Sequence, residues 1–338
     1  MRRITPLILV VMILSSCASV DVPTQSGVDS SPSVTPEPAP TASVSPSPTA
    51  ESPSLPSIDE TPPASTLPEP DLRPENIWYH YNLLDSEQKA VYLKLYENLV
   101  AYIENDKVTE LFSHTLENTA SDIDGRGIVM RMAWDNPVIA MYFGSHIDVT
   151  DENGRLIFHD ISTPDMQDFG DITDIRNQIR EIELVADDFL ADISPYLGDY
   201  DKYHAIAEKL AAHIEYNYSH GAPEQTIKDF LLDMSVYGGL VDRLCVCEGF
   251  ARTYQYLCHR AGLFCVEVSG NTYAGDHAWN IIRLDDGYYH VDVTWMQTDG
   301  DRYFCLTDSQ IAVDHTIISQ YQPECSSVKF AYDGGKVP

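Results

Sequence analysis

Residues 247–260 read CEGFARTYQYLCHR, and residues 277–295 read HAWNIIRLDDGYYHVDVTW. In the first stretch Phe250, Ala251, Tyr254, Leu257 and Cys258 recur at helical spacing, which sets Cys247 in the first turn of an amphipathic helix. Unpaired backbone N–H groups and the positive end of the helix dipole gather there, favouring a thiolate and offering a donor to an oxyanion. The second stretch, divided by Asp285, Asp286 and Gly287, predicts two strands joined by a tight Asp-Gly turn. His277 begins the first strand and Asp292 lies within the second. A thiol is mostly protonated near neutral pH, so a nucleophilic cysteine needs a base, and the base needs a carboxylate to fix its tautomer and orientation. Cys247, His277 and Asp292 supply these three parts in chain order.

The strand register carries a geometric demand. With Asp286 and Gly287 as the two turn residues, simple pairing sets Met296 opposite His277, four positions beyond Asp292. Parity keeps Asp292 on the face of His277, so a bulge, strand twist or a longer loop has to bring the two together.

Three runs carry a resemblance: VYGGLVDRLCVCEGFARTYQYLCHRAGLFCVEVSG at 236–270, DHAWNIIRLDDGYYHVDVTW at 276–295 and YFCLTDSQIAVDH at 303–315. Together they resemble the transglutaminase-like core of bacterial extracytoplasmic proteins. In that superfamily the cysteine precedes a Gly-aromatic-Ala step, as Cys247 precedes Gly249, Phe250 and Ala251. The histidine lies in an HAWN motif, here His277 to Asn280, and the aspartate precedes Thr-Trp, here Asp292 before Thr294 and Trp295. A weaker likeness reaches back to DKYHAIAEKLAAHIEYNY at 201–218, which resembles the preceding helix of the family. The resemblance implies an α+β papain-like cysteine-proteinase fold, with the nucleophile at the N-terminus of a helix packed on an antiparallel sheet. It also implies acyl transfer from an amide to Cys247, with His277 as base and then acid and Asp292 as its orienter. An amine or water resolves the acyl-enzyme, so transglutaminase, deamidase and peptidase activities all stay open. The alternative is a non-catalytic module that keeps the fold and holds a peptide or wall component in its cleft. No cofactor or metal is expected.

The N-terminus speaks to location. Arg2 and Arg3 precede the apolar run PLILVVMIL, too short to span a bilayer as a mature helix, and small residues then lead to Cys17. This pattern resembles a bacterial lipoprotein signal over residues 1–17, with Cys17 lipidated. An ordinary secretory signal or short anchor is the plainer alternative. The expected location is the outer face of the cytoplasmic membrane, with the membrane itself as one partner through Cys17 and a protein or peptide substrate as the other.

Residues 18–74 are dominated by Pro, Ser, Thr and Ala, with no lysine or arginine before Arg73. Such a segment buries too little apolar surface to offset its ordering entropy and reads as a disordered tether, with a reach on the order of 40 Å as a flexible coil. Residues 75–195 read as an N-terminal α/β prefix and 196–338 as the core. Within the prefix, DSEQKAVYLKLYENLVAYIEN predicts a helix capped at Asp85 or Ser86, with Val91, Leu95 and Leu99 on one face. GIVMRMAWDNPVIAMYFGSHIDVT and GRLIFHDIS suggest strands, and 173–190 a further helix.

Composition narrows the partners. Twenty-one basic residues against 52 acidic ones give a formal charge of −31, so binding to nucleic acid, which depends on cationic contacts to phosphate, is not expected. Besides Cys17 the cysteines are Cys245, Cys247, Cys258, Cys265, Cys305 and Cys325. Cys258, Cys265 and Cys305 fall in apolar patterns and read as small buried hydrophobes. Cys245 is the second candidate nucleophile, but it stands outside the Gly-aromatic-Ala context. A metal set of His277, His290 and Asp292 is conceivable on one strand face, though a strand histidine is more often packed or hydrogen-bonded. His204, His220, His259 and His315 show no partner in the sequence.

Overall fold

Asp85 starts the first long helix by accepting from the N–H groups of Glu87 and Gln88, while the Gln88 side chain returns a bond to the Asp85 backbone. The computed structural model describes residues 77–105, 114–117, 124–143, 147–151, 155–160, 172–194, 197–285, 287–319 and 321–334. The chain divides into two units, and all described residues belong to the one that includes 67–338. The signal, Cys17 and the tether lie outside the described residues.

The first layer is helical. Helices α1 (Tyr79–Asn82), α2 (Ser86–Glu104), α3 (Gly125–Asp135) and α4 (Pro137–Phe143) enclose a core of Trp78, Tyr92, Leu95, Leu99, Ile128 and Met132. The run 127–143 therefore folds as two helices and not as the strands its short apolar runs suggested. Asp124 caps α3 by accepting from Gly127 N, and Ile128, Val129 and Met132 then recur at helical spacing on its buried face. Pro137 begins α4, at a position where its missing N–H costs nothing. The buried Asp135 carboxylate accepts from the N–H groups of His80 and Tyr81 and from Tyr92 Oη, tying α1 and α2 to the end of α3. Strands β1 (His114–Glu117), β2 (Ile147–Asp151) and β3 (Arg155–Asp160) form a separate antiparallel sheet in the order β1-β3-β2. Helix α5 (Ile172–Ala191) joins this layer to the rest: Ile179 packs in the first core, while Ile182, Ala186 and Phe189 pack in the second.

The second layer holds the helix at Cys247 and the hairpin that the sequence predicted. Helix α6 (Asp199–His213) leads into β4 (Glu215–Tyr216), which pairs in parallel with β5 (Leu244–Cys245). Between them lie α7 (Ile227–Leu232) and a π-turn at Gly238–Asp242. Helix α8 (Cys247–Arg260) then packs on a five-stranded antiparallel sheet ordered β10-β6-β7-β8-β9, with β6 (Cys265–Thr272), β7 (Gly275–Leu284), β8 (Gly287–Val291), β9 (Phe304–Leu306) and β10 (His315–Ile317). Helix α9 (Val293–Asp299), a 3-10 turn (Gly300–Tyr303) and α10 (Asp308–Ile311) fill the connections.

Phe250, Tyr254, Leu257 and Cys258 present the apolar face of α8 to the sheet, as their spacing required. Polar bonds set its height: Asn280 on β7 donates to the Ala251 carbonyl at 2.9 Å, and Tyr254 Oη donates to Tyr203 O at 3.0 Å. Gly270 lies opposite His277 in the β6–β7 pairing, and a Cβ there would come within 2.1 Å of Thr316 O and 2.7 Å of the Trp279 ring. That close approach leaves room for the Trp279 ring, which is 1% exposed.

Candidate active site

Cys247 is the first residue of α8, and the preceding Val246 provides no capping side chain. The first-turn N–H groups, that of Cys247 included, thus have no acceptor within the helix. The turn is braced from below. Val246 N donates to Asp233 O at 2.9 Å, and the Asp233 carboxylate accepts from Asn217, His220 and Gln225 at 2.6 to 2.9 Å. A Cβ at Gly249 would meet Asp233 O at 2.6 Å and Cys245 Sγ at 2.8 Å. The glycine of the C-x-G step is therefore a packing requirement of this bracing carbonyl.

Cys245 is fully buried, and burial, then the charge of Asp233, pushes its thiol well above the ordinary range. That setting disfavours a thiolate and separates Cys245 from Cys247, which keeps 4% exposure at the helix start. All six described cysteines are free thiols.

His277 sits on β7, three residues into the strand, and its Nε2 lies 2.8 Å from Asp292 Oδ2. Cys247 lies near enough to the same ring to influence its charge, and with Nε2 engaged by Asp292, Nδ1 is the nitrogen left for the thiol. The three predicted residues are thus brought together, in the order thiol, imidazole, carboxylate. Burial alone would depress the His277 pKa, but the Asp292 charge and hydrogen bond, and then Cys247, raise it to about 10. Burial likewise works to raise Asp292, yet His277 and then His315 lower it to about 2, so the carboxylate is ionised.

A bulge does bring Asp292 to His277, but Asp292 stands outside the strand the sequence set it in, and Gly287, counted there as a turn residue, is paired in the ladder. The β7–β8 pairing sets Leu284 opposite Gly287 and ends at Asn280 opposite Val291. Asp292 lies beyond the strand, as the N-cap of α9, where its Oδ1 accepts from Trp295 N at 3.1 Å. A bulge at His290 and Val291 in the β8–β9 pairing turns the backbone, and Asp292 N bonds Tyr303 O at 2.9 Å. Capping a helix turns the carboxylate back over the sheet, so no strand register sets its position.

His315 is the residue that sequence reasoning missed. Its Nε2 lies 3.2 Å from Asp292 Oδ2, the same oxygen that His277 uses, and its Nδ1 lies 2.7 Å from Asp314 Oδ1. Its 23-residue separation from Asp292 left no local signal, because the closure of β10 onto β6 makes the contact. His290, by contrast, belongs to another cluster. Trp279 Nε1–H can only donate, so His290 Nδ1 accepts from it at 3.0 Å and Nε2–H is directed to Asp308 Oδ1 at 2.9 Å. Burial, against the pull of Asp308, holds the His290 pKa below its ordinary value. This bond fixes the Trp279 ring, which stacks with His277 at 6.0 Å between centroids.

Among the described residues three sets of side chains could hold a metal: His277, Asp292 and His315; His290, Asp308 and Cys325; and, at the surface, His204, Glu208 and Asp301. In the first, both rings are directed at one carboxylate oxygen as in a hydrogen-bonded cluster. In the second, the His290 nitrogen facing the set carries its proton, leaving no lone pair to bind an ion. The conceived set of His277, His290 and Asp292 does not form, since His290 is held by Trp279 and Asp308.

A mixed α and β chain with a cysteine at the start of a helix, packed on an antiparallel sheet that carries a histidine and an aspartate, has the papain-like cysteine-proteinase fold. Residues 187–293 match the family model described as Transglutaminase-like superfamily. Its members are commonly enzymes, among them transglutaminases and peptidases. A 61-residue stretch is 34% identical to the kyphoscoliosis peptidase of Mus musculus, covering 14% of this chain and 9% of that protein. The chain thus spans a small part of this curated relative. A solved structure described as a crystal structure of a TGase aligns over 50% of this chain and 48% of its own, at 16% identity and a TM-score of 0.31.

Proposed function

We propose that this protein is a thiol acyl-transfer enzyme acting on protein or peptide amides, with Cys247 as nucleophile, His277 as base and then acid, and Asp292 as orienter. One observation carries the reading: His277 has Cys247 near enough to influence its charge and Asp292 Oδ2 at 2.8 Å from its Nε2. The Cys247 sulfur attacks the amide carbonyl while His277 holds its proton, and the α8 N-terminus faces the developing oxyanion. Collapse of that adduct breaks the C–N bond, and His277 passes the proton to the leaving amine. An amine or a water, deprotonated by His277, then attacks the thioester and returns the thiol.

The test is incubation of the full chain with a protein substrate, with and without a labelled primary amine. Amine incorporation identifies a transglutaminase, ammonia release alone a deamidase, and new chain ends a peptidase. The absence of all three with Cys247 intact would favour a non-catalytic binding module, the reading that the low exposure of Cys247 and His277 supports.

The same proposal includes export and lipid anchoring through Cys17, supported by the basic, apolar and small-residue pattern of residues 1–17. Cys17→Ala is expected to abolish labelling by radioactive palmitate and to release the protein from membranes. Retention of both would remove the anchor from the reading.

A further inference from the structure

The Asp292 carboxylate has more donors around it than an orienting aspartate requires. Oδ2 receives His277 at 2.8 Å and His315 at 3.2 Å, while Oδ1 receives the Trp295 N–H at 3.1 Å. His315 is itself held at its other end, with Nδ1 2.7 Å from Asp314 Oδ1, and Tyr303 Oη donates to Asp314 Oδ2 at 2.7 Å. An ionised carboxylate only accepts, so in the bond to the Asp292 carboxylate the ring is the donor. The ring is walled by Trp295, Trp279 and Tyr303, at centroid distances of 4.5, 4.9 and 6.0 Å, and its side chain has no exposed surface. Among the described residues, Asp292 and Asp314 are the hydrogen-bond partners of its ring nitrogens. His315 also lies beyond residues 187–293, the part of the chain that matches the superfamily.

We propose that His315, clamped by Asp314 and Tyr303, is a positioning residue that aims Asp292 Oδ2 at His277 and keeps Asp292 ionised by sharing that oxygen. The inference rests on the acyl-transfer reading, in which His277 must have a defined orientation and tautomer. The depressed pKa of Asp292, to which His315 contributes after His277, agrees with it. The ionisable groups around His315 are Asp292 on α9, His277 on β7, Asp314 before β10, Tyr303 on the 3-10 turn and His290 on β8, with Cys247 beyond His277.

The experiment uses the full chain with 15N-labelled histidine. The His277 Nε2–H resonance is followed to low pH, where its step reports protonation of Asp292, and Cys247 alkylation by iodoacetamide is timed in parallel. His315→Phe and Asp314→Asn are expected to move the low-pH step up by one unit or more and to slow alkylation about tenfold. His315→Gln, which restores one donor to Asp292, is expected to recover most of both. An unmoved step in His315→Phe and Asp314→Asn, whatever their melting temperatures, overturns the proposal, since a purely structural residue would change stability alone. His277→Ala in the otherwise native chain separates the two readings: if it leaves Cys247 alkylation unchanged, the acyl-transfer reading fails. If it slows alkylation while the step stays fixed in the His315 and Asp314 variants, only the role of His315 fails.

Discussion

His277 Nε2 lies 2.8 Å from Asp292 Oδ2, although Asp292 stands outside the strand that pairs with that of His277. Burial would lower the His277 pKa, and the Asp292 charge is the largest influence raising it, to about 10. In Asp292→Asn the largest influence opposing burial is gone and Cys247 alone still acts upward, so the pKa is expected to fall by a unit or more, which an NMR titration of His277 reads directly.

The same shift has a sign in stability. Because the folded pKa of His277 lies above its ordinary value of 6.5, its contribution is present in full below pH 6.5 and is lost as pH rises toward 10. Urea midpoints of the native protein are expected to decline across that window, and those of Asp292→Asn to lose this dependence. Since the substitution removes one partner of a buried pair, it is also expected to cost about 3 kcal/mol near pH 6.

Cys247 keeps 4% exposure and lies near enough to His277 to influence its charge, while Cys245, Cys258, Cys265, Cys305 and Cys325 are 1% exposed or less. Iodoacetamide is expected to label Cys247 before any of them, as read by peptide mass mapping. His277→Ala is expected to slow that labelling by about 10²-fold, the usual worth of a positioned base.

Gly249→Ala would drive a methyl group into the Asp233 carbonyl and the Cys245 side chain, at 2.6 and 2.8 Å from Asp233 O and Cys245 Sγ. Neither can move freely, since Asp233 O also holds Val246 N. Overpacking of this kind costs about 1–3 kcal/mol. Denaturant titration is expected to show that loss, and Cys247 labelling is expected to slow because the first turn of α8 shifts.

Arg176 on α5 caps the C-terminal end of α2, donating to the carbonyls of Tyr102, Ile103 and Asn105 at 2.6 to 2.8 Å. Arg176→Ala leaves buried carbonyls without that donor and is expected to destabilise the protein by roughly 3 kcal/mol. At temperatures where the protein stays folded, the rate of Cys247 alkylation is expected to match the native rate.

The sequence by itself determined the parts whose cause is local. The period of Phe250, Ala251, Tyr254, Leu257 and Cys258 makes α8 and puts Cys247 at its start. Asp85 and Gln88 set the start of α2, and the alternation around Asp285 to Gly287 sets the β7–β8 hairpin. Local signals also misled where short apolar runs look alike in helix and strand: 125–143 folds as two helices, the first capped by Asp124 and the second begun by Pro137. The tertiary structure alone decided how the carboxylate meets the imidazole. A bulge ends β8, Asp292 caps α9, and β10 closes on β6 to bring His315 to the same oxygen from 23 residues away. Side-chain periodicity reports which face a residue takes, but sheet closure and helix capping determine which residues meet across it, and neither is written in a local pattern.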